Sequence, residues 1–196
     1  MFSDTHFHFR MMTQDRGING EEVLTQMAKN NCFFGLDIGT DADDLLPRQS
    51  CIEKAIASMQ DQNSADKARK FIYFTAGIWP GVEDIHNRQE RIETLKQNIL
   101  TAQNDTETDT LNRKIIAIGE CGLDHHWNPS GADGRCECDF DTATYQGEKE
   151  LFKMQIELAK QMNLPVIVHS RDAFEDTLEC IKEVGYHNGI IHCYSY

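Results

Sequence analysis

The sequence predicts an α/β fold, and three observations carry it. Apolar runs of strand length recur along the chain, among them Phe71 to Thr75, Lys114 to Ile118 and Leu164 to Val168. Between such runs lie longer stretches in which apolar residues return every three or four positions, the helical period. With 196 residues, 40% hydrophobic and 26% charged, the chain can bury one core, so a single domain over residues 1–196 is expected and disorder is excluded. Strands alternating with helices pair in parallel through right-handed crossovers.

In chain order, strands are expected near Phe2 to Phe9, Cys32 to Ile38, Phe71 to Ile78, Ile115 to Glu120, Pro165 to His169 and Gly189 to Cys193. Helices are expected near Gly20 to Asn30, Asp43 to Ala68, Gly81 to Gln103, Tyr145 to Asn163 and Asp172 to Val184. The fourth helix has the clearest pattern, because Leu151, Met154, Leu158 and Met162 share one face. Asp172, with Glu175 three residues on, has the form of a capping box opening the fifth. Two segments interrupt the alternation and are expected as exposed loops: Asn104 to Asn112, rich in Asp and Thr, and His125 to Thr142, rich in Gly, Asp and Cys. No repeat of 20–50 residues and no low-complexity tract is present.

Several function classes drop out on composition. No apolar run approaches the roughly 20 residues of a membrane span. The start, MFSDTHFHFR, lacks the basic and apolar regions of a secretory signal, so a cytoplasmic location is expected. Seven scattered cysteines, with Cys136 and Cys138 as the single close pair, form no complete zinc motif and are expected as reduced thiols. The net charge of −13 opposes nonspecific attraction to a polyanion. A nucleic-acid substrate would then need local positive charge, which bound divalent cations can supply.

Candidate chemistry gathers at strand ends. His6 and His8 lie two apart on the first strand, so both imidazoles can face one ion. Glu120, His169 and His192 each end an expected strand. In a parallel α/β barrel the carboxyl edge of the strands carries the catalytic groups. Four histidines and a carboxylate converging there would make a poor core and a good binuclear metal site. The competing account is that each polar residue simply ends its own strand.

The strings DTHFH, TAGIWP, IGECGLD, FKMQIELAKQMNLPVIVHSRDA and IIHCYS, in that order and spacing, resemble the TatD family of metal-dependent deoxyribonucleases from Asp4 to Ser195. The resemblance implies a TIM-type (β/α)8 barrel, two divalent ions (Mg, Mn or Zn) and hydrolysis of DNA phosphodiesters. Carried over by position, it implies His6 and His8 as ligands of one ion, His169 and His192 as ligands of the second, and Glu120 as the carboxylate bridging both. Arg171, within the same motif, is a candidate for binding a substrate phosphate. The alternative for Arg171 is a structural pair with a helix carboxylate.

Three departures from the family pattern stand out. An eight-stranded barrel usually needs about 250 residues, whereas about six of the eight strand-helix units are readable here. The family aspartate beyond the last histidine has no counterpart before Tyr196. Trp79 stands where the family pattern Gly-Ile-His-Pro places a histidine, and an indole there could narrow the cleft, stack on a base or cap the barrel.

Asp4 and Asp124 match family positions and are candidates for orienting the imidazoles, with plain strand-end hydrogen bonding as the alternative. His125, His126 and Trp127 are read as loop residues, although Trp127 could stack on a nucleobase. Cys121 and Cys193 are assigned no role, and His86 and His187 are expected to face solvent. The acidic runs Asp41 to Asp44 and Glu148 to Glu150 are read as helix starts favoured by the dipole. The leading expectation is a metal-dependent deoxyribonuclease with DNA as substrate partner and no membrane. Its alternatives are a hydrolase of small esters or amides from the wider His-x-His barrel class, and a shortened, noncatalytic chain that still binds metal.

Overall fold

The computed structural model describes residues 1–104, 114–126, 139 and 141–194. Six strands, β1 (Phe2–Phe7), β2 (Cys32–Asp37), β3 (Ile72–Ala76), β4 (Ile115–Asp124), β5 (Val166–Arg171) and β6 (Gly189–Ile191), form one sheet in chain order. Every neighbouring pair is parallel. The helices are α1 (Gly20–Lys29), α2 (Leu45–Ser58), α3 (Gln62–Phe71), α4 (Val82–His86), α5 (Arg88–Asn104), α6 (Thr142–Met162) and α7 (Phe174–Val184), with a π-helical turn over Met11–Asp15. The α/β reading and all six strands stand.

The boundaries move where a local hydrogen bond decides them. The expected helix from Asp43 to Ala68 is two helices. The Asp61 carboxylate accepts the Asn63 N–H at 3.2 Å and restarts the chain as α3. The expected helix from Gly81 to Gln103 also divides, at Asn87, whose side chain donates back to the Glu83 carbonyl at 3.0 Å. Asp172 caps nothing. Its φ is +54°, α7 begins at Phe174 without a side-chain cap, and the Asp172 carboxylate lies 2.8 Å from His126 Nδ1. On α6, Asp141 is the N-cap, accepting the Thr144 N–H at 2.7 Å, and Asn163 ends the helix at φ +53°. Its buried face centres on Phe152, Gln155, Ile156 and Ala159, so Met154 and Met162 of the expected stripe lie at the margin, only partly buried.

The core forms between sheet and helices, where Phe74, Ile72, Leu24, Ile52, Leu95 and Phe152 are fully buried. The sheet curls so strongly that the carboxyl ends of its first and last strands meet: the rings of His6 and His192 stack with centroids 3.6 Å apart. Glycines permit the curl. A Cβ on Gly77 would overlap Gly119 Cα, and Gly119 itself has φ +137°, a region closed to other L residues. This close approach lets the Glu120 N–H reach past β3 to the Gly39 carbonyl at 2.7 Å.

Residues 105–113, 127–138 and 140, which include most of both expected loops and Trp127, Cys136 and Cys138, lie outside the described residues. The described cysteines are Cys32, Cys51, Cys121, Cys180 and Cys193, all free thiols. Among the described residues no helix is long and apolar enough to cross a membrane.

Candidate metal centre

The carboxyl edge of the sheet carries the candidate site, and Glu120 is its middle. This residue does not end β4, as the sequence suggests, but lies inside it, where the register against β5 shifts between Ile118 and Cys121. One carboxylate oxygen, Oε1, lies 2.8 Å from His169 Nδ1, and the other, Oε2, lies 3.2 Å from His6 Nε2. Imidazoles from β1 and β5 therefore grip a single carboxylate from β4. His192, just beyond β6, completes a group in which one ligand atom each from His6, Glu120 and His192 lies within 4.8 Å of the others.

His8 stands one residue past β1, its ring edge-on to His6 at 5.1 Å and its Nδ1 3.2 Å from the Ile38 carbonyl. That contact leaves Nε2 as the nitrogen on the far side of the ring, which lines the same cavity. The tightest grouping is thus His6, Glu120 and His192, with His169 touching Glu120 and His8 on the cavity wall.

Behind the imidazoles stands Asp124, with no exposed surface. Its Oδ2 lies 3.0 Å from His169 Nε2 and its Oδ1 accepts Arg171 Nε at 2.8 Å. Arg171 therefore pairs with a strand carboxylate, not a helix one. Burial would raise the Asp124 carboxyl, but His169 and Arg171 outweigh it and hold it at about 2. Burial likewise works against a charged His169, yet bonds to Asp124 and Glu120 raise it to about 9. Glu120 is held far below the usual carboxylate range, because its bonds to His169 and His6 outweigh burial. His192 moves the other way, lowered by burial and by the imidazole of His6 stacked on it.

The match to the family described as TatD-related DNase runs over residues 3–196. The chain belongs to this family. Over its whole length it is 31% identical to an uncharacterized metal-dependent hydrolase, YabD, of Bacillus subtilis, and covers 61% of that protein. Over 140 residues, 70% of the chain and 44% of the relative, it is 30% identical to the 3'-5' ssDNA/RNA exonuclease TatD of a Rahnella species. Among solved structures, YJJV, a TatD homologue from Escherichia coli K12, superposes with a TM-score of 0.65 at 23% identity, covering all of this chain and 61% of that one. A TatD family hydrolase from Entamoeba histolytica gives 0.64 at 20% identity, covering all of this chain and 58% of that one. The chain thus spans between 44% and 61% of the proteins it matches here. Its six strands form the half-barrel shared with those TatD structures.

The imidazoles and Glu120 are singled out in the sequence, but several buried residues around the site go unmarked there. Arg48, 3% exposed, donates to the Asp37 carboxylate at 2.6 Å, to the Asp37 carbonyl at 3.2 Å and to the Thr75 carbonyl at 2.7 Å. It ties the ends of β2 and β3 beneath the site. Asp44, in the acidic run read as a helix start, spends its carboxylate on Arg48 at 2.9 Å and on the Thr40 N–H at 2.9 Å. Asp41 and Asp84 pair with Arg91. Glu148, read as helix-dipole charge, is buried on α6 and accepts the Asp124 N–H at 2.8 Å. Asp4 bonds the His6 backbone N–H at 3.2 Å, the strand-end alternative. Cys121 is buried, which pushes its thiol up, while Cys193, His86 and His187 are exposed. A cavity of about 820 Å³ opens over this edge, lined among others by the four histidines, Glu120, Trp79, Arg171, Asp41 and Asp84.

Proposed function

We propose that this protein is a metal-dependent hydrolase of nucleic-acid phosphodiesters, most simply a deoxyribonuclease, working with two divalent ions of the Mg, Mn or Zn type. The observation that carries it is the Glu120 carboxylate gripped on both oxygens by imidazoles from opposite parts of the sheet. The donor set fits such ions: imidazole nitrogens and a carboxylate suit them, and burial beside His6 lowers His192 and favours a neutral, donor-ready ring there. In this reading His6 and His8 hold one ion, His169 and His192 the other, and Glu120 is shared. Divalent ions held by these residues would supply Lewis acidity toward a phosphoryl oxygen and a water of lowered pKa.

The chain's own residues do the rest. Asp124, bonded to the second nitrogen of His169, fixes the ring so that Nδ1 faces Glu120. Arg171 lines the cavity with its side chain 41% exposed and its guanidinium steadied by Asp124, so it can present positive charge to a substrate phosphate. The Rahnella relative is a 3'-5' ssDNA/RNA exonuclease, which agrees with this substrate class.

One observation favours a second reading. A net charge of −13, with Arg171 as the one arginine or lysine among the described residues lining the cavity, suits a small uncharged ester or amide better than a polyanion. The experiment is hydrolysis of a labelled single-stranded oligonucleotide beside a panel of esters and amides, with added Mg, Mn or Zn and with a chelator. Metal-dependent oligonucleotide cleavage that disappears in Glu120→Gln is the expected result. Cleavage untouched by both chelator and Glu120→Gln would sink the mechanism, and turnover of the ester panel alone would transfer it to the second reading.

A further inference from the structure

We propose that Trp79 is a stacking platform for a single unpaired nucleobase at the mouth of the metal centre, an inference that rests on the phosphodiesterase reading above. Trp79 shares the cavity with His6, Glu120, His169 and Arg171. Its ring centroid lies 5.8 Å from that of His169, with the two planes at 67°. A base lying on the indole would therefore belong to one of the nucleotides flanking a phosphate held at His169 and Glu120.

The backbone under this indole is pinned. Gln155, fully buried on α6, clamps Ile78 from both sides, accepting its N–H at 2.8 Å and donating to its carbonyl at 2.9 Å. The Trp79 N–H donates to the Thr40 carbonyl at 2.9 Å, and the Trp79 carbonyl accepts the Gly81 N–H at 2.7 Å. Pro80 fixes φ between them. Trp79 is only partly buried, whereas Ile78 and Pro80 on either side are buried. A bulky apolar group that merely filled the core would be expected to be sealed like its neighbours. A rigidly mounted aromatic at the edge of a polar cavity presents a surface at little entropic cost.

Charge argues for a base as the occupant. Gripping a long run of phosphates requires a basic track, and among the described residues lining this cavity the one arginine or lysine is Arg171, itself bonded to Asp124, while the lining carboxylates Asp41 and Asp84 pair with Arg91. Stacking carries no net charge, tolerates any base and needs no basic track. The base must be unpaired, because a duplex base is already stacked and can reach the indole only by being flipped out.

The test is a cycle between the indole and the base. Anisotropy gives the affinity of wild type, Trp79→Phe and Trp79→Ala for trinucleotides that are intact or carry an abasic site at one position, and cleavage rates are taken on the same set. At one position, removing the base should weaken wild-type binding about tenfold, the order of one base–aromatic stack. Trp79→Ala should lose the same factor on the intact trinucleotide and nothing further on the abasic one, while Trp79→Phe, which keeps a ring, retains most of the affinity. Equal losses by Trp79→Ala on intact and abasic strands would make the residue merely structural and overturn the platform, with the phosphodiesterase reading left standing. A wild-type protein that binds and cleaves none of the trinucleotides would remove that reading and the platform together.

Discussion

Two ionic assemblies sit side by side on the carboxyl edge of this sheet, and they differ in one respect. Arg48, Asp37 and Asp44 join β2, α2 and β3 in a sealed cluster in which Asp37 has no exposed surface and Arg48 only 3%. Glu120, His6, His169 and Asp124 join β1, β4 and β5 through similar bonds, but three of them, Glu120, His6 and His169, line the large cavity. The sealed cluster directs its donors at backbone carbonyls of its own strands, the Asp37 and Thr75 carbonyls among them. The open one directs nitrogens and a carboxylate at one another around a point accessible from outside. Similar ion pairs act as a scaffold when each charge is spent on partners within the fold, and as a candidate centre when imidazoles and a carboxylate converge on one large cavity.

The largest effect should come from breaking the sealed cluster. Arg48→Ala leaves two carboxylates buried without their cation, and removing one partner of a buried pair costs about 3–5 kcal/mol. Urea denaturation of this variant should show a loss in that range, whether or not metal is added. A shift of under 1 kcal/mol would mean that the cluster is not the scaffold described.

Glu120→Gln should do the opposite. It should lower divalent-ion affinity more than about 100-fold, because the shared ligand loses its charge, while the stability of the metal-free chain changes far less than in Arg48→Ala. Titration calorimetry with Mn or Zn checks the first and urea midpoints the second. In wild type, an ion at 100 times its Kd should stabilise the fold by about 2.7 kcal/mol. That increment should vanish in Glu120→Gln and on adding a chelator.

Asp124→Asn leaves the Glu120 ligand in place and removes the carboxylate behind His169, so ion affinity should fall about 10–100-fold, less than for Glu120→Gln. Equal affinity in wild type and Asp124→Asn would show that His169 needs no orienting partner. The smallest effect is expected on the outer surface, where Lys153 pairs with Glu183 at 2.9 Å between α6 and α7. Lys153→Ala should change stability by less than about 0.5 kcal/mol and leave metal binding unaltered, which makes it the control for the other three.

The sequence itself determined the alternation of six strands with helices, because burial imposes a period that apolar residues record locally. It also marked His6, His8, Glu120, His169 and His192 as one candidate set, since each lies at or near a strand's carboxyl end. It did not show that α2 and α3 are separate, although Asp61 carries the capping signal, because the apolar period continues across the break. The misplaced end of β4 has a related cause: Gly119 and Gly122 resemble a turn, and only neighbouring strands show that they are there to let backbones approach.

Tertiary structure alone decided the rest. That the Asp172 carboxylate would turn to His126 and not cap α7, that Arg171 would pair with Asp124, and that Arg48 would be the buried tie beneath the site all depend on partners 11 to 47 residues away in sequence. No local pattern encodes such pairs. A carboxylate near a helix start looks the same whether it meets solvent, a helix dipole or a guanidinium from another part of the chain, and the curl of the sheet is what selects among them. The same curl brings His192 against His6 across the length of the chain, so the sequence named the groups at the site while the fold fixed which of them touch.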